Sequence, residues 1–380
     1  MRILEGLYKK IKLSDKFLWL WTTITLLYGF LLIISASRNS IINFCRSQGI
    51  AILIGFSAMF IFQFINYKKI IEKWKFISIL SILLMLYTLI FGINITGISG
   101  VNAKAWIQIP GGFSFQASEL VKIGFILTLA KHLSYLKKKL LLNRPKELLL
   151  LVLHLLIPVV FVHLQGDDGA AIVFLCIFLF MTFMLGIKFR YFLLISAVFV
   201  CMLPIMWNYI LAPYQKSRII NQFNPENDSL GMGYQQIQGK LSIGSGGFFG
   251  KGLFNGDRVN DGIVPIQESD FIFTVAGEEL GFFGCFSIIM LIFTIIFRII
   301  KIIKNCTDSA GIYVCFGLIG LIACQTILNL GMCLSLVPVI GVTLPFFSAG
   351  GSSLICLCIG IGILQNINIQ QAYYENEFLI

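Results

Sequence analysis

What most limits the fold of this chain is a succession of apolar runs, each about as long as a helix must be to cross hydrocarbon. Ten can be drawn, at 17–36, 49–66, 76–93, 115–131, 147–163, 169–186, 189–211, 271–297, 311–334 and 343–365. A membrane core about 30 Å thick needs about 20 mostly apolar residues per helix, and in lipid an open chain satisfies its own backbone only as a helix. Composition agrees: 57% hydrophobic residues, 12% charged and 35 Phe do not describe an ordinary soluble enzyme of 380 residues. The sequence predicts an all-α polytopic membrane protein of about ten transmembrane helices, a single integral unit over 1–380. The signal is weakest in the fourth run, which carries Glu119 and Lys122, and in the sixth and seventh, which only a short turn separates.

Lys and Arg set the orientation. The first tail and alternate loops, around 68–75, 131–146, 188–190 and 298–304, hold 20 of the 29 basic residues, against eight on the other side and Lys122 within a span. Both termini, tails 1–16 and 366–380, are therefore expected in the cytoplasm. The first run is long and no small-residue cleavage site follows it, so no cleavable signal peptide is expected. The net charge of +11 fits positive loops facing anionic lipid and calls for no nucleic-acid partner.

The ten cysteines mostly sit inside spans without a C-x-x-C pair, which indicates neither zinc nor a disulfide framework. His132, His154 and His163 are scattered over the fourth and fifth spans and their ends, where packing is a commoner role than metal or nucleophilic catalysis.

Two external segments are long, about 94–114 and about 212–270. The second contains L-G-M-G-Y-Q-Q-I-Q-G-K-L-S-I-G-S-G-G-F-F-G-K-G, where glycines alternate with aromatic and aliphatic residues. A flexible spacer would lack the aromatics, so this loop is expected to be partly ordered and to bring its backbone close to another part of the chain. It does not match a phosphate-binding P-loop.

Charges at membrane depth gather at the outer ends of the spans: Glu119, Lys122, Asp167, Asp168, Asp270, Glu278 and Glu279. Such residues are costly unless paired or wetted. Glu119 and Lys122, three apart on a helix, can pair, either as a structural ion pair or as ligand contacts. Of the two aspartates in the turn H-L-Q-G-D-D-G-A, one carboxylate can face the amino end of the sixth span, and a structural role fits Asp168 better than Asp167. Glu278 and Glu279 are deep enough that one is expected to be protonated or bonded to backbone. Asp270 stands at the water boundary, where a carboxylate can stay ionised and accept a proton. Glu268 is either a second acid that raises the pKa of Asp270 or, the favoured choice, a solvated loop residue.

Several motifs then carry a resemblance over nearly the whole length. F-Q-A-S-E-L-V-K, L-Q-G-D-D-G-A-A, the Gly-rich loop, S-D-F-I-F-T-V-A-G-E-E-L-G and N-L-G-M-C-L-S-L-V-P-V-I-G-V-T-L-P-F-F-S-A-G-G-S-S occur in the order of the SEDS family (shape, elongation, division and sporulation proteins). The L-G-M-G-Y to G-K-G stretch resembles the family's rod-shape branch more than its division branch. The resemblance implies a peptidoglycan glycosyltransferase of the bacterial cytoplasmic (inner) membrane that polymerises lipid II at its outer face during elongation, beside a class B penicillin-binding protein and other elongation-complex membrane proteins. It places the family's catalytic residue on Asp270, its Glu/Lys pair on Glu119 and Lys122, its turn acid on Asp167 and its loop lysine on Lys240.

The chemistry suits these residue types. A base must take the proton of an attacking sugar hydroxyl, and fixed positive charge must meet the leaving diphosphate. Asp270 can serve as the first, and Lys240, Lys251, Arg258, Lys104 or Lys122 as the second; Trp106, near Lys104, joins the expected substrate-binding residues. No nucleotide cofactor is implied, and a divalent cation such as Mg2+ between diphosphate and carboxylates is left open. The family's P-E-x-H-T-D-F is P-I-Q-E-S-D-F here, and its S-Y-G-G-S-S has Ala349 for Tyr. Two other classes remain at this point: a lipid II flippase, since charges within a bundle also mark transport paths, and a non-enzymatic scaffold.

Overall fold

The computed structural model describes residues 2–37, 41–96, 102–109, 113–142, 144–223, 225–228 and 231–378. In chain order the helices are α1 (Arg2–Leu13), α2 (Lys16–Ala36), α3 (Ile41–Phe62), α4 (Tyr67–Glu72), α5 (Trp74–Phe91), α6 (Ala117–Lys138), α7 (Pro145–Leu164), α8 (Asp168–Met184), α9 (Phe189–Ile205), α10 (Pro213–Phe223), α11 (Met232–Ser245), α12 (Asp257–Asn260), α13 (Ile272–Asn305), α14 (Ser309–Cys333) and α15 (Gly351–Phe378). Each apolar run falls wholly or for most of its length on one of them, so the all-helical membrane architecture holds. Among the described residues, seven helices are long and apolar enough to span: α2, most of α3, α5, α7, α13, α14 and most of α15; α8 is apolar but shorter.

Several starts are set by side-chain caps, which supply acceptors to amides that have none within a helix. Asp15 Oδ1 accepts from Leu18 N at 3.0 Å at α2, and Asp308 Oδ2 accepts from Gly311 N at 3.1 Å at α14. α15 packs along α3, α13 along α2, and α14 against α6 and α8. The interior is Leu, Ile and Phe from these helices, with buried amides such as Asn329, Gln365 and Asn366. The amides bond across the bundle: Asn366 Nδ2 donates to Gln63 O at 2.8 Å and Gln365 Nε2 to Asp15 O at 2.9 Å.

The structure differs from the sequence expectation in four places. The segment 94–114, read as a loop, contributes to a small antiparallel sheet ordered β1 (Ile93–Thr96), β2 (Asn102–Ile109), β3 (Phe113–Gln116), with Trp106 opposite Gln116; residues 97–101 and 110–112 lie outside the described ones. The last span begins at Gly351, because 334–350, with Pro338, Gly341, Pro345 and Gly350, forms no helix. The expected tail 366–380 continues α15 as far as Phe378, so its first residues belong to the bundle. The eighth span is two helices end to end: Gly281, at φ 64° and ψ −155°, interrupts α13, a conformation open essentially only to glycine.

The loop 212–270 is ordered over most of its length, as its aromatics suggested. It carries α10, α11 and α12 and packs on the first half of α13 and on α14. Gln236 Nε2 donates to Val337 O at 3.1 Å and Gln222 Nε2 to Ser335 O at 2.7 Å, which ties α11 and α10 to the segment after α14.

Candidate active site

Asp270 is the last residue but one before α13, and three parts of the chain hold it. Asn329 Nδ2 of α14 donates to the Asp270 carbonyl at 2.8 Å and to Val342 O at 2.8 Å. Ser348 Oγ donates to Ser269 O at 2.6 Å, and Ala349 N to Glu268 O at 2.8 Å. Gly341, at φ 70°, turns the 334–350 segment so that its Cα faces the carboxylate; a Cβ there would lie 3.5 Å from Asp270 Oδ2. The long C-terminal motif is therefore a cradle for the backbone around Asp270, a role that its residue types alone did not disclose.

The Asp270 side chain is half-buried, and Ser269 Oγ donates to its Oδ1 at 3.1 Å. Burial is the largest influence on it and pushes its pKa up to about 6; the charges of Glu268 and Asp167 push the same way, while the Ser269 hydroxyl and the Arg218 guanidinium pull it back. The charge of Glu268 thus reaches Asp270, although its side chain is itself only half-buried. Arg218, on α10, was missed altogether: a lone arginine in a long loop looks like any solvated cation until the loop folds over the site.

Next to Asp270 stands a second group. Asp167 caps α8, its Oδ1 accepting from Ala170 N at 3.0 Å, while its Oδ2 accepts from Gln116 Nε2 at 2.7 Å and Ser118 Oγ at 3.3 Å. Lys122 Nζ bonds Glu119 Oε1 at 2.8 Å with both side chains buried. Burial raises the Asp167 pKa, the Ala170 amide, Lys122 and Gln116 lower it, and Glu119 raises it. The F-Q-A-S-E-L-V-K motif thus works from two faces: Gln116 and Ser118 orient the turn acid while Glu119 and Lys122 form the pair behind it. Of the two aspartates Asp167 is the one that caps α8, while Asp168 bonds His163 Nδ1 at 2.8 Å and Gln215 Nε2 at 2.6 Å, fastening α10 to the turn.

The other expected residues lie apart from this cluster or beside it. Lys251 Nζ bonds Glu278 Oε1 at 2.9 Å and Asp257 Oδ2 at 3.0 Å, which raises its pKa. The Arg258 guanidinium bonds Ser242 Oγ at 3.0 Å and the Gln238 side chain. Both cations are committed to holding the Gly-rich loop. Lys240 is exposed on α11, next to Gly239, which abuts Phe271 and Thr274. Lys104 and Trp106 are half-buried on β2, and the Lys104 amide donates to Gln165 O at 2.9 Å in the turn that holds Asp167. His132 and His154 face each other at 3.3 Å between α6 and α7.

Glu278 and Glu279, both fully buried, serve the break in α13. Glu278 accepts from the amides of Arg258 at 3.0 Å and Val259 at 3.1 Å; Glu279 accepts from Ser35 Oγ at 2.7 Å and from the Gly256 amide at 3.4 Å, so both acids are bonded to backbone. Their freed carbonyls take the amides of Lys251 at 3.0 Å and Gly252 at 2.9 Å, and Phe282 N donates to Gly247 O at 2.9 Å. The Gly-rich loop thereby satisfies polar backbone that a broken helix would expose at membrane depth. Glycine is needed there because a Cβ on Gly246 or Gly250 would strike the α13 backbone.

Among the described residues no three His, Cys, Asp or Glu side chains converge into a metal-binding cluster. A cavity of about 210 Å³ flanks the site, lined in part by Ala36, Ser37, Gln267 and Glu268.

Comparison with known proteins agrees with this arrangement. A family model described as "Cell cycle protein" and covering FtsW, RodA and SpoVE matches residues 15–373. Stage V sporulation protein E of Bacillus subtilis is 31% identical over 370 residues, covering 94% of this chain and 98% of its own. Peptidoglycan glycosyltransferase MrdB of Escherichia coli K12 is 31% identical over 344 residues, 90% of each. Among solved structures, rod shape determining protein RodA of Thermus thermophilus superposes with a TM-score of 0.69 at 27% identity over 93% of this chain and 96% of its own. A chain of a peptidoglycan synthase complex that coordinates polymerization and crosslinking superposes with a TM-score of 0.79 at 27% identity, over 94% of this chain and 98% of its own. With its Asp270 cradle, its turn acid and its Glu/Lys pair set in the same order as the family's motifs, this chain belongs to the SEDS family of FtsW, RodA and SpoVE proteins.

Proposed function

We propose that this protein polymerises lipid II into glycan strands at the outer face of the cytoplasmic membrane, in the elongation of a rod-shaped cell. It is a peptidoglycan glycosyltransferase. The observation that carries the proposal is Asp270, a carboxylate with a raised pKa set among Asp167, Glu268 and Arg218 at the outer end of a span. In the reaction the 4-hydroxyl of an acceptor N-acetylglucosamine attacks the anomeric carbon of a donor N-acetylmuramic acid. The new glycosidic bond forms as the bond to the lipid diphosphate breaks. Asp270 accepts the hydroxyl proton, a contribution of about 10²–10⁴-fold when well placed. Arg218 and Lys122, with Lys240 and Lys104 nearer solvent, supply positive charge for the departing diphosphate. Lys251 and Arg258 act one step removed by fixing the loop that carries α11 against α13.

A class B penicillin-binding protein that cross-links the new strands is the proposed partner, and the elongation role rests on the L-G-M-G-Y to G-K-G stretch. The test is purified protein with lipid II in detergent, where no second compartment exists. Glycan chains that vanish with Asp270→Ala support the proposal. An absence of chains with active substrate and partner present would overturn it; a flippase would act only in vesicles, and a scaffold would tolerate Asp270→Asn in cells.

A further inference from the structure

At the far ends of the spans from Asp270, the α1–α2 junction, the last turns of α13 and the later part of α15 enclose a cavity of about 350 Å³. Lys12, Lys16, Arg298 and Lys301 line it against one acid, Asp15. That acid is already used: Asp15 is buried, its Oδ2 taking Arg298 Nη2 at 2.6 Å and Nε at 3.0 Å while its Oδ1 caps α2. Lys12, Lys16 and Lys301 are exposed and have no hydrogen-bond or ion-pair partner among the described residues. Like charges around one cavity repel one another unless an anion lies among them. The Lys16 and Phe17 amides, in the first turn of the 21-residue α2, have no carbonyl within the helix to meet and add the positive end of its dipole.

The surroundings identify the anion as part of a lipid. The cavity sits where α2 begins and α13 ends, at the boundary between hydrocarbon and water. Phe17, 59% exposed, lies under the Arg298 guanidinium at 5.1 Å, and Leu20 on the next turn is 51% exposed, which gives an apolar wall running from the basic mouth toward the membrane. Alongside, α1 carries exposed Leu7, Tyr8 and Ile11 among its lysines, the pattern of a helix lying in the interface. We propose that this cavity binds the phosphodiester headgroup of an anionic phospholipid, with the acyl chains along Phe17 and Leu20. The side is the one to which the positive-inside bias assigns the cytoplasm, and the proposal does not depend on the glycosyltransferase activity.

The test is native mass spectrometry of the full-length protein in detergent, with phosphatidylglycerol, phosphatidylcholine and inorganic phosphate as separate probes. Phosphatidylglycerol is expected to be retained over phosphatidylcholine, and K12Q/K301Q to weaken that retention about thirtyfold. Arg298 is left in place so that its pair with Asp15 survives, and Lys301→Glu is expected to weaken retention further. Equal retention of the two lipids, or retention unchanged in both variants, overturns the proposal. Displacement of phosphatidylglycerol by millimolar inorganic phosphate would show a soluble-anion site and overturn the lipid assignment. Loss of glycan synthesis in Asp270→Ala, with lipid retention intact, separates this site from the catalytic one.

Discussion

Asp270 does two things at once that pull against each other. As a base it must be ionised, yet burial disfavours its charge and raises its pKa to about 6. The rate of polymerisation is therefore expected to fall below about pH 6, a limb well above that of an ordinary carboxylate near 3.9, visible in kcat/KM against pH. The neighbours set its position in opposite directions: Glu268→Gln should move the limb down in pH and Arg218→Gln up, the latter also slowing turnover about tenfold or more. Limbs that stay in place in both variants would deny the contact. The same carboxylate weakens the fold. A folded-state pKa above the unfolded one gives stability that is fully present below about pH 4 and lost as pH rises through about 6. Asp270→Asn is thus expected to abolish synthesis and to raise the thermal midpoint at pH 7, with a gain bounded at about 3 kcal/mol. Asp270 itself was legible from its place at the edge of an apolar run. Arg218 was not, because an arginine in a loop carries no local mark of what it will face. The shared duty of Gln116 and Ser118 was equally hidden, since it depends on a turn some 50 residues away.

At the scale of elements, length and apolarity were enough to find the helices, because a span must be long and dry whatever its partners. Interruptions were harder to see. The break at Gly281 lies inside a continuous apolar run, and only the three-dimensional return of the Gly-rich loop makes it tolerable. The sheet β1–β3 was likewise missed, its short strands offering little alternation to set against the helical runs around them. Gly281→Ala should be strongly destabilising, by about 2 kcal/mol or more, since the new Cβ would meet Phe248 O at 2.7 Å in a conformation reserved for glycine. Glu278→Ala leaves the amides of Arg258 and Val259 without their acceptor and should cost about 2–4 kcal/mol; Glu278→Gln, which keeps an acceptor, should cost less. Thermal midpoints of the purified variants measure both.

For the whole molecule, the bundle sorts its polar chemistry by side. The acids and Arg218 collect at one end of the spans, the lysine-lined cavity and Arg298 at the other, which gives the orientation read from the loops a direct check. Cysteine introduced at Lys301 should react only with reagents that enter the cell, and cysteine at Asp261, exposed in the external loop, with reagents that stay outside; the reverse pattern would invert the topology. The broken helix also bears on how such a chain is made. The portion of α13 after Gly281 runs about 24 residues, roughly 36 Å of helix, long enough to enter the membrane by itself during synthesis. The preceding stretch, from Ile272 to Leu280, is too short to do so and leaves carbonyls that only the folded loop can satisfy. Insertion and completion of this span are therefore expected to be separable: the long half can anchor by itself, whereas the half that begins beside Asp270 has its carbonyls satisfied only when the external loop has closed on it.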